Sequence, residues 1–161
     1  MAIDTLTMDQ IISNVFDEML AMPTDSNPPA DDVFEQQRIV ASIQISGIVE
    51  ELIVVEAPTE TAHLIAQTMF DADPDSLEQD EINDAVGEVV NMIGGNVKGT
   101  YEGESTLSLP CVGEETGPPD EDPTLCERTI VNVSGQPILI RWRDVAPVAV
   151  ASVISDLTYQ I

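Results

Sequence analysis

Glu88 and Asn91 are the two residues whose types and spacing could do chemistry together. Three positions apart on a helix, a carboxylate and a carboxamide project side by side from adjacent turns. The carboxamide has both donor and acceptor and can hold and orient a water, while the carboxylate can pair with a cation. Neither is a nucleophile alone. Glycines border the pair at Gly87, Gly94 and Gly95. A glycine inside a helix costs about 1 kcal/mol relative to alanine, so three beside one acid–amide pair predict a surface kept bare for an approaching partner. Asp84 and Met92 complete that expected docking surface.

The helix that must carry the pair is expected to open at Ser76 with Gln79, a capping-box spacing, and to run to about Val97 or Gly99. At about 100° per residue, Ile82, Val86, Val89, Ile93 and Val97 share one arc and form its core face. Asp84, Glu88, Asn91, Gly95 and Lys98 fall on the opposite side. The pair therefore points out of the domain, and chemistry there needs a pocket supplied by another molecule. A solvated face carrying a glutamate and an asparagine by chance is the plain alternative.

Around this helix the periodicities predict a single α+β domain over residues 1–161. Helical spacing covers Asp9–Met22, stopped by Pro23, and Thr24–Asp32 reads as a loop. Ile39, Ala41, Ile43 and Ile45 alternate with polar or smaller residues in the second half of Val33–Ser46, a half-buried strand. Gly47 turns it into Ile48–Ala57. Thr59 or Thr61 is expected to cap a helix ending at Phe70, and Asp71–Asp75 turns around Pro74. Ser105–Leu109 reads as a strand, residues 112–125 as a solvated acidic loop, and Glu127–Val133 with Pro137–Arg143 as a hairpin turning at Ser134-Gly135. Val145–Ile161 suits a short helix or a strand. Short turns between strands imply an antiparallel-rich sheet in a two-layer domain, helices covering one face, with a weak pseudo-repeat of helix plus hairpin.

Composition narrows the partners. The 161 residues include 30 acids and 5 bases, for a net charge of −25, with Lys98 the single lysine. Nucleic acid and anionic membrane both demand a cationic surface and are excluded as partners. The acidity reads first as adaptation to a salty environment, with a specific basic partner as the alternative. No signal peptide and no apolar run of the roughly 20 residues that span a bilayer is evident, so a cytoplasmic protein is expected. Cys111 and Cys126 flank the acidic loop without a His or Cys cluster beside them. Two reduced thiols are expected, or else one bridge across the loop base. His63 is expected to be a surface or packing residue. Trp142, between Arg141 and Arg143, reads as a half-buried strand residue, or an interface.

The segment from Asn83 to Lys98 contains Gly87-Glu88, Asn91-Met92 and Gly95-Asn96. It resembles the signature helix of the CheX/CheC/FliY family of chemotaxis phosphatases, and of CheX-like members in particular. Leu109-Pro110-Cys111-Val112 resembles a second family segment. The resemblance implies a protein phosphatase acting on the phospho-aspartate of a CheY-like response-regulator receiver. It implies that Asn91 enters the receiver's active site and positions the attacking water, while Glu88 engages the receiver's phosphate-contacting lysine. It implies no cofactor or metal on this chain, Mg²⁺ being held by the receiver, and admits a homodimer through sheet edges. Some members carry a second Glu-x-x-Asn site on the first helix. Here Val15 and Glu18 occupy those positions, so one site is expected. The alternative on the same fold is a non-catalytic adaptor that docks to a receiver or a motor-switch component.

Overall fold

A computed structural model describes residues 3–25, 31–118, 125 and 127–145. Its elements are α1 (Thr5–Ser13), continued as a π-helical segment over Asn14–Met19, β1 (Thr24–Asp25), β2 (Arg38–Gly47), β3 (Glu50–Pro58), α2 (Thr59–Phe70), α3 (Gln79–Lys98), β4 (Ser105–Leu107), β5 (Cys111–Glu115), β6 (Glu127–Val133) and β7 (Gln136–Val145). Short 3-10 turns stand at Asp31–Glu35 and Pro74–Ser76. The strands form one seven-stranded sheet in the order β1-β6-β7-β3-β2-β4, with β5 also pairing β2. The pairings among the described residues are antiparallel. This is the α+β sheet-and-helix architecture expected from the alternation of short turns and periodic runs.

The buried face of the sheet follows from residue alternation. Ile39, Ala41 and Ile43 of β2 stand opposite Ala57, Val55 and Ile53 of β3, and the row continues to Ile140 and Trp142 of β7. All of these are buried. On that side α3 packs across β2, β3, β4 and β5, and α2 packs on β2, β3, β7 and α3. Each buried valine, isoleucine or leucine side chain contributes about 1.5–3 kcal/mol by removal from water, so the apolar seam shared by the two layers is a main source of stability. Gly47 is required where β2 ends. Its φ is +147°, and a Cβ there would lie 2.5 Å from the Glu104 carbonyl oxygen. Ser134 and Gly135 both have positive φ (49° and 86°), as a two-residue hairpin turn matched to strand twist needs.

Several boundaries differ from expectation for identifiable reasons. The first helix begins at Thr5, because the Asp4 carboxylate caps it by accepting the Thr7 N–H at 2.7 Å. The Thr7 N–H, and after it the Thr7 hydroxyl, hold the Asp4 carboxyl below its usual range. The helix stops short of Met22. The Leu20 N–H reaches the Val15 carbonyl at 3.0 Å, a π turn, and Ala21 adopts φ 54°. Thr24 and Asp25 are not loop but a short strand on β6. Pro58, not a threonine, occupies the N-cap of α2. Thr59 Oγ1 donates to the Gln37 carbonyl at 3.1 Å and Thr61 Oγ1 to the Pro137 carbonyl at 2.7 Å, so both tie the helix to strands.

At α3 the N-cap is Glu78, whose N–H donates to Glu81 Oε1 at 3.1 Å, while the Ser76 hydroxyl donates to the Asp73 carbonyl. Cys111–Glu115, most of it assigned to the acidic loop, is an edge strand on β2. Trp142 is fully buried and donates from Nε1 to the Ile3 carbonyl at 3.0 Å, so it is neither half-buried nor a surface feature. Cys111 is a free, exposed thiol. Residues 146–161, Cys126 and residues 119–124 of the acidic stretch lie outside the described residues.

On the face away from the helices, three neighbouring strands are locked by one charge cluster. Glu56 of β3 is fully buried, with Oε1 2.7 Å from Arg38 Nε of β2 and Oε2 2.9 Å from Arg141 Nε of β7. Arg38 Nη1 also donates to the Gly117 carbonyl at 2.7 Å. Removing one member of a buried ion cluster leaves its partners charged and desolvated, at a cost of about 3–5 kcal/mol. Glu56→Ala is therefore expected to lower the unfolding free energy by at least about 3 kcal/mol in a urea titration. A loss under 1 kcal/mol would show that the cluster does not hold the sheet.

Candidate functional site

The site stands on α3, a helix of 20 residues. Asp80 and Glu81 occupy its first turn and Lys98 its last, the signs that the helix dipole favours. Ile82, Val86, Val89, Ile93 and Val97 are all buried on the core side. That seam fixes the rotation of the helix, and with it the direction of every other side chain. Asp84, Glu88 and Gly95 are exposed, and Asn91 and Lys98 are half-buried. Among the described residues, neither Glu88 nor Asn91 has a hydrogen-bonding or ionic side-chain partner. The carboxylate and carboxamide thus stand together on the outward side of a rigid element, as the 3.6-residue period required.

The glycines divide into two kinds, correcting the expectation that all three keep a docking surface bare. Gly87 and Gly94 are buried and face this chain's own sheet. A Cβ on Gly94 would meet Ile43 Cγ2 at 2.9 Å and Leu107 Cδ1 at 3.1 Å, and one on Gly87 would meet Val112 Cγ2 at 3.1 Å and Pro110 Cβ at 3.8 Å. They let α3 settle on β2, β4 and β5. Only Gly95 is open, with nothing within 4 Å of its Cβ position. Met92 is half-buried and packs against the core, and its carbonyl accepts from Asn96 Nδ2 at 2.8 Å. The outward set is therefore Asp84, Glu88, Asn91 and Gly95. Pro110 and Val112, which the spacing argument did not connect to the pair, lie alongside Gly87. An apolar Leu-Pro step within a polar stretch was the available signal.

Two surface grooves, one along α1 bordered by Leu6, Gln10, Asn14 and Thr100 and one at the start of α2 bordered by Gln36, Pro58 and Gln136, include neither Glu88 nor Asn91. Among the described residues no group of three or more His, Cys, Asp and Glu side chains is placed to hold a metal ion. No helix of the described residues is long and apolar enough to cross a membrane. The surface can offer an oriented carboxamide and a carboxylate to something that docks on it.

Sheet order and helix placement define a two-layer α+β domain, an antiparallel sheet with α2 and α3 packed on one face. The family model described as chemotaxis phosphatase CheX matches residues 39–134, more than half of the chain and all of α3. The chain belongs to this family. Among solved structures it is similar to the chemotaxis protein CheX from Vibrio vulnificus, at 18% identity and a TM-score of 0.65 over 88% of this chain and 98% of that one. It is similar to a CheC-like superfamily protein from Shewanella sp. PV-4, at 18% identity and a TM-score of 0.63 over 91% and 100%. It is also similar to a chain of the CheX–CheY–BeF3–Mg complex from Borrelia burgdorferi, at 20% identity and a TM-score of 0.61 over 90% and 100%. Likeness at these identities concerns the fold. No curated protein matches the sequence.

The two kinds of glycine make opposite predictions. Gly95→Ala removes a helix-weakening residue without a clash and is expected to raise stability by up to about 1 kcal/mol. Gly94→Ala forces a methyl against the buried Ile43 and is expected to lower stability by about 1–2 kcal/mol, overpacking exceeding the gain in helix propensity. Urea midpoints of the two variants check this, and equal shifts of one sign would contradict the division.

Proposed function

We propose that this chain is a phosphatase that hydrolyses the phospho-aspartate of a CheY-like receiver domain, with Asn91 and Glu88 inserted into the receiver's active site. The observation that carries the reading is the pair itself. In a chain of this family, a carboxamide and a carboxylate stand together on the outward face of the helix whose other face is locked into the core. A rigid helix fixes the placement of a catalytic group to within the fraction of an ångström that catalysis by positioning requires. The docking surface comprises Asp84, Glu88, Asn91 and Gly95.

The chemistry is in-line displacement at phosphorus. Asn91 accepts a hydrogen bond from a water through Oδ1 and donates from Nδ2, holding the water oxygen in line with the bond to be broken. The water oxygen bonds to phosphorus as the bond to the aspartyl carboxylate oxygen breaks. Inorganic phosphate leaves, the aspartate regains its carboxylate, and the displaced proton passes to phosphate or solvent. Glu88 pairs with the receiver's lysine and fixes the register of the two proteins. The Mg²⁺ belongs to the receiver and neutralises charge on the transferring phosphoryl group. The acid-rich surface of this chain complements a receiver face carrying a lysine, and complementary charge speeds encounter.

Decay of an acetyl-phosphate-loaded CheY-like receiver from the same organism tests the reading. Wild-type protein is expected to accelerate the decay. Asn91→Ala is expected to lower kcat by about 100-fold, the scale of losing one positioning group. Glu88→Ala is expected to lower kcat/KM by on the order of tenfold, the value of one hydrogen bond to a charged group. No acceleration by the wild type contradicts the phosphatase reading and favours the adaptor. Full activity of Asn91→Ala contradicts its assigned role.

A further inference from the structure

Beneath α3 the edge of the sheet is built by β4, a three-residue connection and β5. The Gly94 and Gly87 contacts with Leu107, Pro110 and Val112 show that this stretch tracks the helix over two turns. Those are the turns that present Glu88 and Asn91. Within it Leu109 is 87% exposed and Val112 37% exposed. The backbone that carries them is fixed. The Ser108 N–H donates to the Gln44 carbonyl at 2.9 Å, the Gln44 N–H donates to Ser108 Oγ at 2.9 Å, and Cys111 and Val112 pair with Ser42 and Ala41 of β2. Leu109 is thus held out from a rigid edge and does not belong to a loose loop.

A single exposed leucine is ordinary on a protein surface. This one is flanked by Pro110 and Val112, which meet α3 at Gly87 beside the outward pair, and the exposed charges on that part of α3 are acids. Glu81, Asp84 and Glu88 are exposed there, and the one base, Lys98, lies ten residues further along the helix, about 15 Å from Glu88. An apolar tip bordered by acids complements an apolar hollow bordered by cationic side chains. Interface hot spots take this form, a large side chain seated in a pocket with polar groups at the rim.

We propose that Leu109, with Pro110 and Val112, is the apolar anchor that docks the phosphorylated receiver, seated in an apolar hollow beside the receiver's active site. The inference rests on the phosphatase reading of Glu88 and Asn91. The anchor touches no reacting atom. It binds the ground state and the transition state alike, and so sets KM while Asn91 sets kcat.

Receiver decay is measured with wild type, Leu109→Asp and Leu109→Met, each with a circular-dichroism melt; at 87% exposure the substitution leaves the fold intact. Leu109→Asp is expected to raise KM about tenfold with kcat within twofold, the loss that one unburied leucine implies. Leu109→Met is expected to restore KM. An unchanged KM, or a fall in kcat at constant KM, overturns the anchor. Binding of the beryllofluoride-loaded receiver, followed by titration calorimetry, separates the two failures. If wild type does not speed decay, the phosphatase reading fails, and the anchor stands only if the receiver still binds and Leu109→Asp weakens that binding about tenfold. If sedimentation shows that Leu109→Asp converts a dimer to a monomer while receiver binding is unchanged, the edge carrying Leu109 is a contact between copies of this chain and the proposal is overturned.

Discussion

At Gly87 and Gly94 no side chain separates α3 from the strands beneath it, and the Cβ positions come within about 3 Å of Val112, Leu107 and Ile43. That approach is possible only because two glycines lie seven residues apart, two turns of one helix. It brings the helix down onto the edge formed by β2, β4 and β5 and forbids it to roll. With the Ile82-to-Val97 seam on the other flank, the helix has one orientation. Glu88 and Asn91 point outward as a consequence of packing and not of any contact of their own. The same approach lays the connection carrying Leu109 beside the pair, so one steric constraint arranges both parts of the proposed receiver-binding face.

A surface that acts by entering another protein's pocket must already be rigid, because it has no walls of its own to align its groups. The energetic supports here lie far from the site. The Arg38–Glu56–Arg141 cluster joins β2, β3 and β7 on the opposite face of the sheet, and the charges at the two ends of α3 match its dipole.

Much of this was legible in the sequence, and the failures share a cause. The core face of α3 and the buried row of β2 follow from periods of 3.6 and 2, which burial on one side imposes, and the outward direction of Glu88 and Asn91 came with them. Gly87 and Gly94 were misread because a missing Cβ looks the same whether the space it leaves is filled by the chain's own strand or by a visitor. Only the long-range placement of Ile43, Leu107 and Val112 decides between them. Strand β5 was hidden because an exposed edge strand carries no alternation, and its glycine and glutamates suit an edge that must resist pairing. Thr59 and Thr61 have the chemistry of caps, yet their hydroxyls serve carbonyls of Gln37 and Pro137, partners remote in sequence. Local pattern gives the faces; tertiary contacts decide what each face meets.

The central claim is that half of the active site lies on this chain and half on a receiver. A crystal structure of this chain with a CheY-like receiver from the same organism, loaded with beryllofluoride as the phosphoryl mimic, tests it most directly. The account predicts the Asn91 carboxamide within about 2.6–3.2 Å of a water in line with the beryllium–aspartate bond, and Glu88 paired with a lysine of the receiver. A complex in which α3 faces solvent, or in which the receiver contacts the chain through another surface, would contradict it.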